Sequence, residues 1–409
     1  MSSMTRIKAA ALVLVLTFVM LAVVVQPASA SPTTRLDSLK TYIDDQYDDV
    51  EGGYSLKGEK LSRGEATFSV LEALNDLGDL AARPPPINLT MTKEFITKLQ
   101  WTKINEKDDK YGGFSSFIAG IPSIHASYWT IRAWQVLNQH NDYIGMENVE
   151  INETAALVYI NRTFTDEGGF SAKPGKGADL LSTYEAVYLI DYLAREIQEK
   201  EDTPYTTTVN KWLNQTAVFD YILSCRKDDA FKMTTDAKVT GVTATAAAIL
   251  ALDVLDRLND LQDLQSVRDW ILDRQVITPI ADEYVGGFTE GYKTNDTNLV
   301  STYYALSALG KLGAIDGHVN ASIAIEFVIN CQAADGAWAL TPGYEGGETT
   351  YIGMAMMSLK LLHGDDIRSL LLVEDPNNPA PPLIDWRLGL VILMLVIAAI
   401  AGLVGLRLD

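Results

Sequence analysis

A short motif recurs six times along this 409-residue chain, and its regularity constrains the fold more than any other feature. Each copy places acidic residues at a turn, then small residues (usually Gly-Gly), then an aromatic. The aromatics are Tyr54, Phe114, Phe170, Phe231, Phe288 and Trp338, separated by 60, 56, 61, 57 and 50 residues. About fourteen residues later comes a second landmark: Thr67-Phe68, Ser127-Tyr128, Thr183-Tyr184, Ala244-Thr245, Thr302-Tyr303 and Thr350-Tyr351. Two landmarks that keep step through six copies define a repeat architecture.

Two helical patterns fill each repeat. One precedes the glycines, as in 91–101, 210–224, 267–275 and 320–331, and mixes apolar and charged positions at helical spacing. The other follows Ser/Thr-Tyr, as in 183–192, 243–255, 302–312 and 350–362, and is apolar nearly all round, which marks a helix buried on every side. The alternation predicts about twelve helices in two concentric layers. Neither end carries the polar capping repeat that an open solenoid needs. The expected fold is all-α, an α/α toroid of six helical hairpins over 31–363. Gly-Gly permits a backbone reversal at each turn, and the acids can cap turns or helix starts. Paired acids could also hold calcium, although no copy offers a full ligand set.

The ends suggest a compartment. Residues 1–30 read as a signal peptide: Arg6 and Lys8, an apolar run, then Pro27-Ala28-Ser29-Ala30. A retained first membrane helix is the alternative. Residues 387–407, apolar between Arg387 and Arg407, predict a single C-terminal transmembrane anchor. An acidic, Pro-rich stalk is expected over 364–386. The toroid then faces outside the cell. A net charge of −20 argues against nucleic acid as a partner. Six N-x-S/T sequons begin at Asn88, Asn152, Asn161, Asn214, Asn295 and Asn320, usable only after export. Two cysteines, Cys225 and Cys331, are too few for a disulfide scaffold.

Gln332-Ala333-Ala334-Asp335-Gly336-Ala337-Trp338 resembles the Q-x-x-D-G-x-W repeat of the prenyltransferase β-subunit and squalene–hopene cyclase superfamily. Gly286-Gly287-Phe288 with Ser301-Thr302-Tyr303-Tyr304-Ala305-Leu306 is similar. The resemblance covers about residues 35–363 and implies inner helices around a central aromatic-lined cavity. The matching positions are Phe68, Tyr128, Trp129, Tyr184, Tyr188, Tyr303, Tyr304 and Tyr351. Core packing is the alternative role for each.

The catalytic signatures that the resemblance implies are missing. Protein prenyltransferases hold zinc with Asp, Cys and His. The corresponding places read Asn298, Val300 and Thr349-Thr350-Tyr351. The Asp-x-Asp-Asp acid of the cyclases and the Gly-Cys-Gly-Glu-Gln thioester string are absent. No catalytic residue, metal or cofactor is therefore assigned. A polar set remains at the starts of the inner helices: Glu65, His125, Asp179, Asn298 and Glu348. His125 with carboxylates could act as acid and base; helix capping is the competing role. Two functions stay open. One is a cell-surface binding module for an apolar or aromatic-stacking ligand, or for a protein. The other is a terpenoid or prenyl-transfer enzyme with a non-standard site.

Overall fold

The computed structural model describes residues 33–80, 88–140, 150–278, 284–291 and 296–378. The expected signal peptide, the expected anchor at 387–407 and Asn295 lie outside them. Among the described residues no helix is long and apolar enough to cross a membrane. The chain divides into two units. One comprises Met1–Thr34 with Glu374–Asp409. Its described part is an antiparallel bridge of Thr34 with Glu374 and a turn in which Asp375 accepts the Asn377 N–H at 2.9 Å.

The other unit, Arg35–Val373, is the toroid. Its helices are α1 (Arg35–Gln46), α2 (Gly64–Asp76), α3 (Leu89–Lys98), α4 (Ile124–Asn138), α5 (Glu153–Arg162), α6 (Leu180–Glu201) and α7 (Tyr205–Trp212), followed by α8 (Gln215–Ser224), α9 (Val242–Val254), α10 (Leu264–Leu272), α11 (Leu299–Lys311), α12 (Ala321–Asn330), α13 (Thr349–His363) and α14 (Ile367–Leu371). Helices α1, α3, α5, α8, α10 and α12 form the outer layer; α2, α4, α6, α9, α11 and α13 form the inner one. Composition explains the division. Helix α10 buries only Val267 and Ile271, while α9, rich in Ala, Ile and Leu, is buried on every side. Each inner helix packs on the next, and α13 returns to α2, so the ring is closed.

The repeat landmarks are the joints of this ring. Each motif aromatic bridges back to the chain leaving its own outer helix, as Phe114 does with Gln100 and Trp338 with Gln332. The first N–H of each inner helix then reaches the linker of the next repeat: Gly64 to Ser116 O, Ile124 to Ala172 O, Leu180 to Met233 O, Val242 to Glu290 O and Leu299 to Leu340 O, all 2.8–3.0 Å. The sixth link uses a side chain, Thr349 Oγ1 donating to Ser55 O at 2.8 Å.

The first glycine of the motif lets the turn touch the next outer helix. Gly336 has φ +94°, and a Cβ there would lie 2.2 Å from the Ser38 carbonyl oxygen on α1. Only glycine tolerates both the angle and the approach. The fourth copy dispenses with it: Arg226–Lys227 and Ala230–Phe231 make a tight hairpin, with Asp228 taking the positive φ. The acids of the turns act as caps, Asp48 Oδ1 accepting from Val50 and Glu51 N–H and Asp108 Oδ1 from Lys110 N–H.

Two features differ from the expectation. The described residues hold fourteen α-helices rather than about twelve, because α7 follows the 22-residue α6 and α14 follows α13. The toroid also runs to Val373, so the first ten residues assigned to a stalk belong to it. Ile367 and Leu371 are buried, and Arg368 reaches Leu77 O and Asp79 at 2.9 Å. A single apolar i, i+4 pair is too brief to register as helical periodicity.

Candidate functional site

The linked inner-helix starts gather at one rim of the ring, where a cavity of about 200 Å³ opens between α2, α4 and α13. Its lining is Glu65, Phe68 and Ser69 from α2, His125 and Trp129 from α4, and Thr350, Tyr351 and Met354 from α13. Spacings of three and four residues put each set on one helical face. The two inner helices α13 and α2 meet closely just beneath, because Gly353 lies opposite Ser69: a Cβ on the glycine would come within 2.9 Å of the Ser69 Cα.

Against Phe68 and Trp129 of this lining lies a guanidinium. Arg132, one turn after Tyr128 on α4, sits over the rings of Phe68 at 4.5 Å, Tyr128 at 5.5 Å, Trp129 at 5.6 Å and Tyr188 at 6.0 Å. Glu72 supplies a carboxylate at 3.8 Å, Tyr128 accepts a hydrogen bond at 3.3 Å, and Met357 sulfur lies 3.5 Å away. Aromatic faces attract cations most strongly when both are desolvated. Burial pushes the Glu72 carboxyl up while Arg132 pulls it down; burial prevails.

The second polar feature is a dyad whose histidine, His125, lines the cavity. Glu185, on α6, is buried and lies 2.7 Å from Nδ1 of the half-exposed His125. Trp129 Nε1–H donates to His125 Nε2 at 3.1 Å, so the neutral imidazole carries its proton on Nδ1 and donates it to Glu185. Burial works against a charged imidazole, but the Glu185 carboxylate, helped by Glu65 and Asp179, outweighs it and raises the His125 pKa above 6.5. Burial likewise raises Glu185 against the pull of His125. The pair therefore holds a proton tightly at the edge of a small, mainly apolar cavity.

Each residue singled out in the sequence can now be placed. Phe68, Trp129 and Tyr351 line the cavity. Tyr128 contacts Trp129, Tyr184 and Tyr188, and its hydroxyl pairs with that of Tyr184 at 3.0 Å. Tyr303 and Tyr304 pack edge to face at 5.1 Å and are buried. The five rim residues divide by role. Asp179 and Asn298 are N-caps, accepting from Ser182 and Ser301 N–H at 2.8 Å. Glu65 instead accepts from Ser116 Oγ at 2.5 Å, His125 joins the dyad, and the exposed Glu348 makes no capping bond through its side chain. Zinc does not fit the positions that the resemblance implies: Asn298 is engaged with Ser301 through both amide atoms, and Val300 has no donor. Among the described residues no group of three or more His, Cys, Asp or Glu is arranged to hold a metal.

Arg132, Glu72 and Glu185 escape the sequence reading, which takes the inner helices as apolar. One signal was available. Arg132 stands four residues after Tyr128, on the same helical face. A second hollow, of about 360 Å³, lies among Lys93, Trp134, Glu150, Tyr192 and Glu196 near the other ends of α4 and α6. Its Lys200 is already paired with Glu150 and Glu153 at 2.6 Å, so its charges answer one another.

A family model described as the prenyltransferase alpha-alpha toroid domain matches residues 10–115, 122–277 and 213–375. The chain belongs to this family. No curated protein matches the sequence. Among solved structures, protein geranylgeranyltransferase-I of Candida albicans is similar at 17% identity, covering 77% of this chain and 89% of that one, with a TM-score of 0.57. A type II terpene cyclase from Scytonema is similar at 12% identity over 81% and 97%, TM-score 0.50. A glycosidase solved in complex with glucose aligns at 10% identity over 80% and 95%, TM-score 0.53. Three different chemistries on one fold at such identities give the architecture alone.

Proposed function

We propose that this toroid is an exported, membrane-anchored binding module, and that its rim cavity takes a small apolar or aromatic group. The observation that carries the reading is Arg132. In a toroid that works on a ligand in its lumen, aromatic faces must be free. Here the chain's own guanidinium covers those of Phe68, Tyr128, Trp129 and Tyr188, with Glu72 beside it. What stays open is the shallower cavity, about 200 Å³. Sites for drug-sized molecules run from about 300 to 1,000 Å³. The ligand is accordingly small, or inserts only one end of itself between Phe68, Trp129, Tyr351 and Met354. Residues 1–30 as a cleaved signal and 387–407 as an anchor support the placement at the cell surface.

One observation favours the second reading, a terpenoid or prenyl-transfer enzyme with a non-standard site: the His125–Glu185 dyad borders the same cavity and can exchange a proton. The related structures were solved with geranylgeranyl diphosphate and geranylgeranyl dihydroxybenzoate, so these classes are the ones to offer.

The test is native mass spectrometry of the full chain in detergent, followed by extraction of whatever it retains. A retained small molecule that Met354→Trp expels, with the fold intact by circular dichroism, supports the binding module. Retention unchanged by Met354→Trp and by Trp129→Ala rejects the rim cavity as the site.

A further inference from the structure

The six sequons are left over from the functional reading, and their positions in the ring are not scattered. Asn88, Asn152, Asn214 and Asn320 are the N-cap residues of α3, α5, α8 and α12, equivalent places in four outer helices. All four are exposed, and so is the hydroxyl residue two positions on: Thr90, Thr154, Thr216 and Ser322. Asn161 differs. It is exposed on the last turn of α5, but its partner Thr163 is buried, with Oγ1 donating to Ile160 O at 2.7 Å.

The capping geometry divides the work of each amide. Asn88 Oδ1 accepts from Thr90 and Met91 N–H at 3.0 and 3.2 Å, Asn152 Oδ1 from Ala155 at 2.9 Å and Asn214 Oδ1 from Ala217 at 3.1 Å. Asn320 Oδ1 accepts from its own sequon hydroxyl, Ser322 Oγ, at 3.1 Å. In the first three the oxygen caps the helix, Asn320 makes no cap bond through its side chain, and in all four no hydrogen bond to the described residues uses Nδ2. A group attached to Nδ2 leaves the cap bonds in place.

We infer that Asn88, Asn152, Asn214 and Asn320 are N-glycosylated and that Asn161 is not. The inference rests on the exported placement proposed above. The donor is a glycan activated as a diphosphate ester. Its C1–O bond to the diphosphate breaks, a C1–N bond forms to Nδ2, and the amide gives up one proton as the diphosphate leaves. Glycans would then stand along the outer-helix starts, the end of the ring away from the rim cavity, since outer helices end and inner helices begin at the rim.

Capping alone also favours Asn at these positions, because an N-cap prefers Asn, Asp, Ser or Thr. The two explanations separate on chemistry. Asp keeps the capping oxygen and lacks the acceptor nitrogen. The experiment is intact-mass measurement and peptide mapping of the full chain isolated from the cells that make it, with protease accessibility of the toroid on intact cells measured in parallel. Glycan mass on the four caps and none on Asn161, with Asn214→Asp losing one glycan while melting within a degree of wild type, is the expected result. An accessible toroid bearing no glycan on those four, or bearing one on Asn161 instead, overturns the inference and leaves the exported reading standing. An inaccessible toroid without glycan overturns both.

Discussion

Gln332 and Arg35 hold the two ends of the toroid together. Gln332 Nε2 donates to the Arg35 carbonyl at 3.0 Å and to Gly336 O at 2.9 Å, while its Oε1 accepts from the Arg35 guanidinium at 3.2 Å. The same clasp links earlier repeats, Gln100 to Asn152 and Gln275 to Asn320. The glutamine of the repeat is thus a bridge from one repeat's turn to the next repeat's outer helix, and in the sixth copy the next repeat is the first.

Gln332→Ala therefore tests closure. Both partners are buried, and leaving their polar groups unsatisfied costs about 1–3 kcal/mol each. Urea unfolding should show a loss of about 2–4 kcal/mol, comparable to that of Gln100→Ala. A near-neutral Gln332→Ala beside a costly Gln100→Ala would mean that the ring is open at this seam.

The constant distance between the two repeat landmarks has a physical cause. The N–H of five of the six motif aromatics donates to a hydroxyl on the fourth residue of the inner helix: Tyr54 to Thr67, Phe114 to Ser127, Phe170 to Thr183, Phe231 to Thr245 and Phe288 to Thr302, at 2.9–3.1 Å. Thr183→Val keeps the shape and strands the Phe170 N–H, so it should cost about 1–3 kcal/mol in chemical unfolding. Thr350→Val should cost less than 1 kcal/mol, because Thr350 is the second residue of α13 and not the equivalent of Thr183.

That last point marks where the sequence misleads. Counting from the helix start, the sixth copy has the buried Ile352 at the hydroxyl position, so Thr350-Tyr351 is two residues out of register with the other landmarks. The repeat, the two layers and the aromatic stripe were legible because glycine, aromatic and hydroxyl each perform one local task in nearly every copy. Arg132, Glu72 and Glu185 were not, since spacing along one chain can put a residue on a helical face but does not name its partner on another helix. The caps divide in the same way. Asp179 and Asn298 serve their own helix, whereas Glu65 turns to Ser116 in the neighbouring repeat.

The dyad should give stability a pH dependence whose sign follows from the raised His125 pKa. His125 has its folded pKa raised above 6.5. Its contribution is complete below that value and is lost as pH rises through the folded pKa. The difference in melting temperature between wild type and His125→Gln should be greatest on the acid side of 6.5 and shrink as the solution is made alkaline. A difference that grew with pH would show that Glu185 does not hold the proton on His125.

Removing the plug should be costly in a specific way. Arg132→Met leaves Glu72 as a partly buried carboxylate without its partner, for about 1–3 kcal/mol. Adding Glu72→Gln removes the stranded charge and should recover most of the loss, which a thermodynamic cycle over the two sites measures directly. Additive losses would mean that the guanidinium and the carboxylate do not answer each other.

The proposed function requires that Arg132 cover the aromatic rings and leave the rim cavity for binding. The most direct measurement is to incubate the full chain, purified in detergent without chelator and supplied with zinc, with geranylgeranyl diphosphate and a cysteine peptide, then examine the mixture by mass spectrometry. The predicted result is unchanged diphosphate and unchanged peptide, for wild type and for His125→Gln alike. A thioether product, or a cyclised hydrocarbon released from the diphosphate, formed by wild type and lost in His125→Gln, would contradict it.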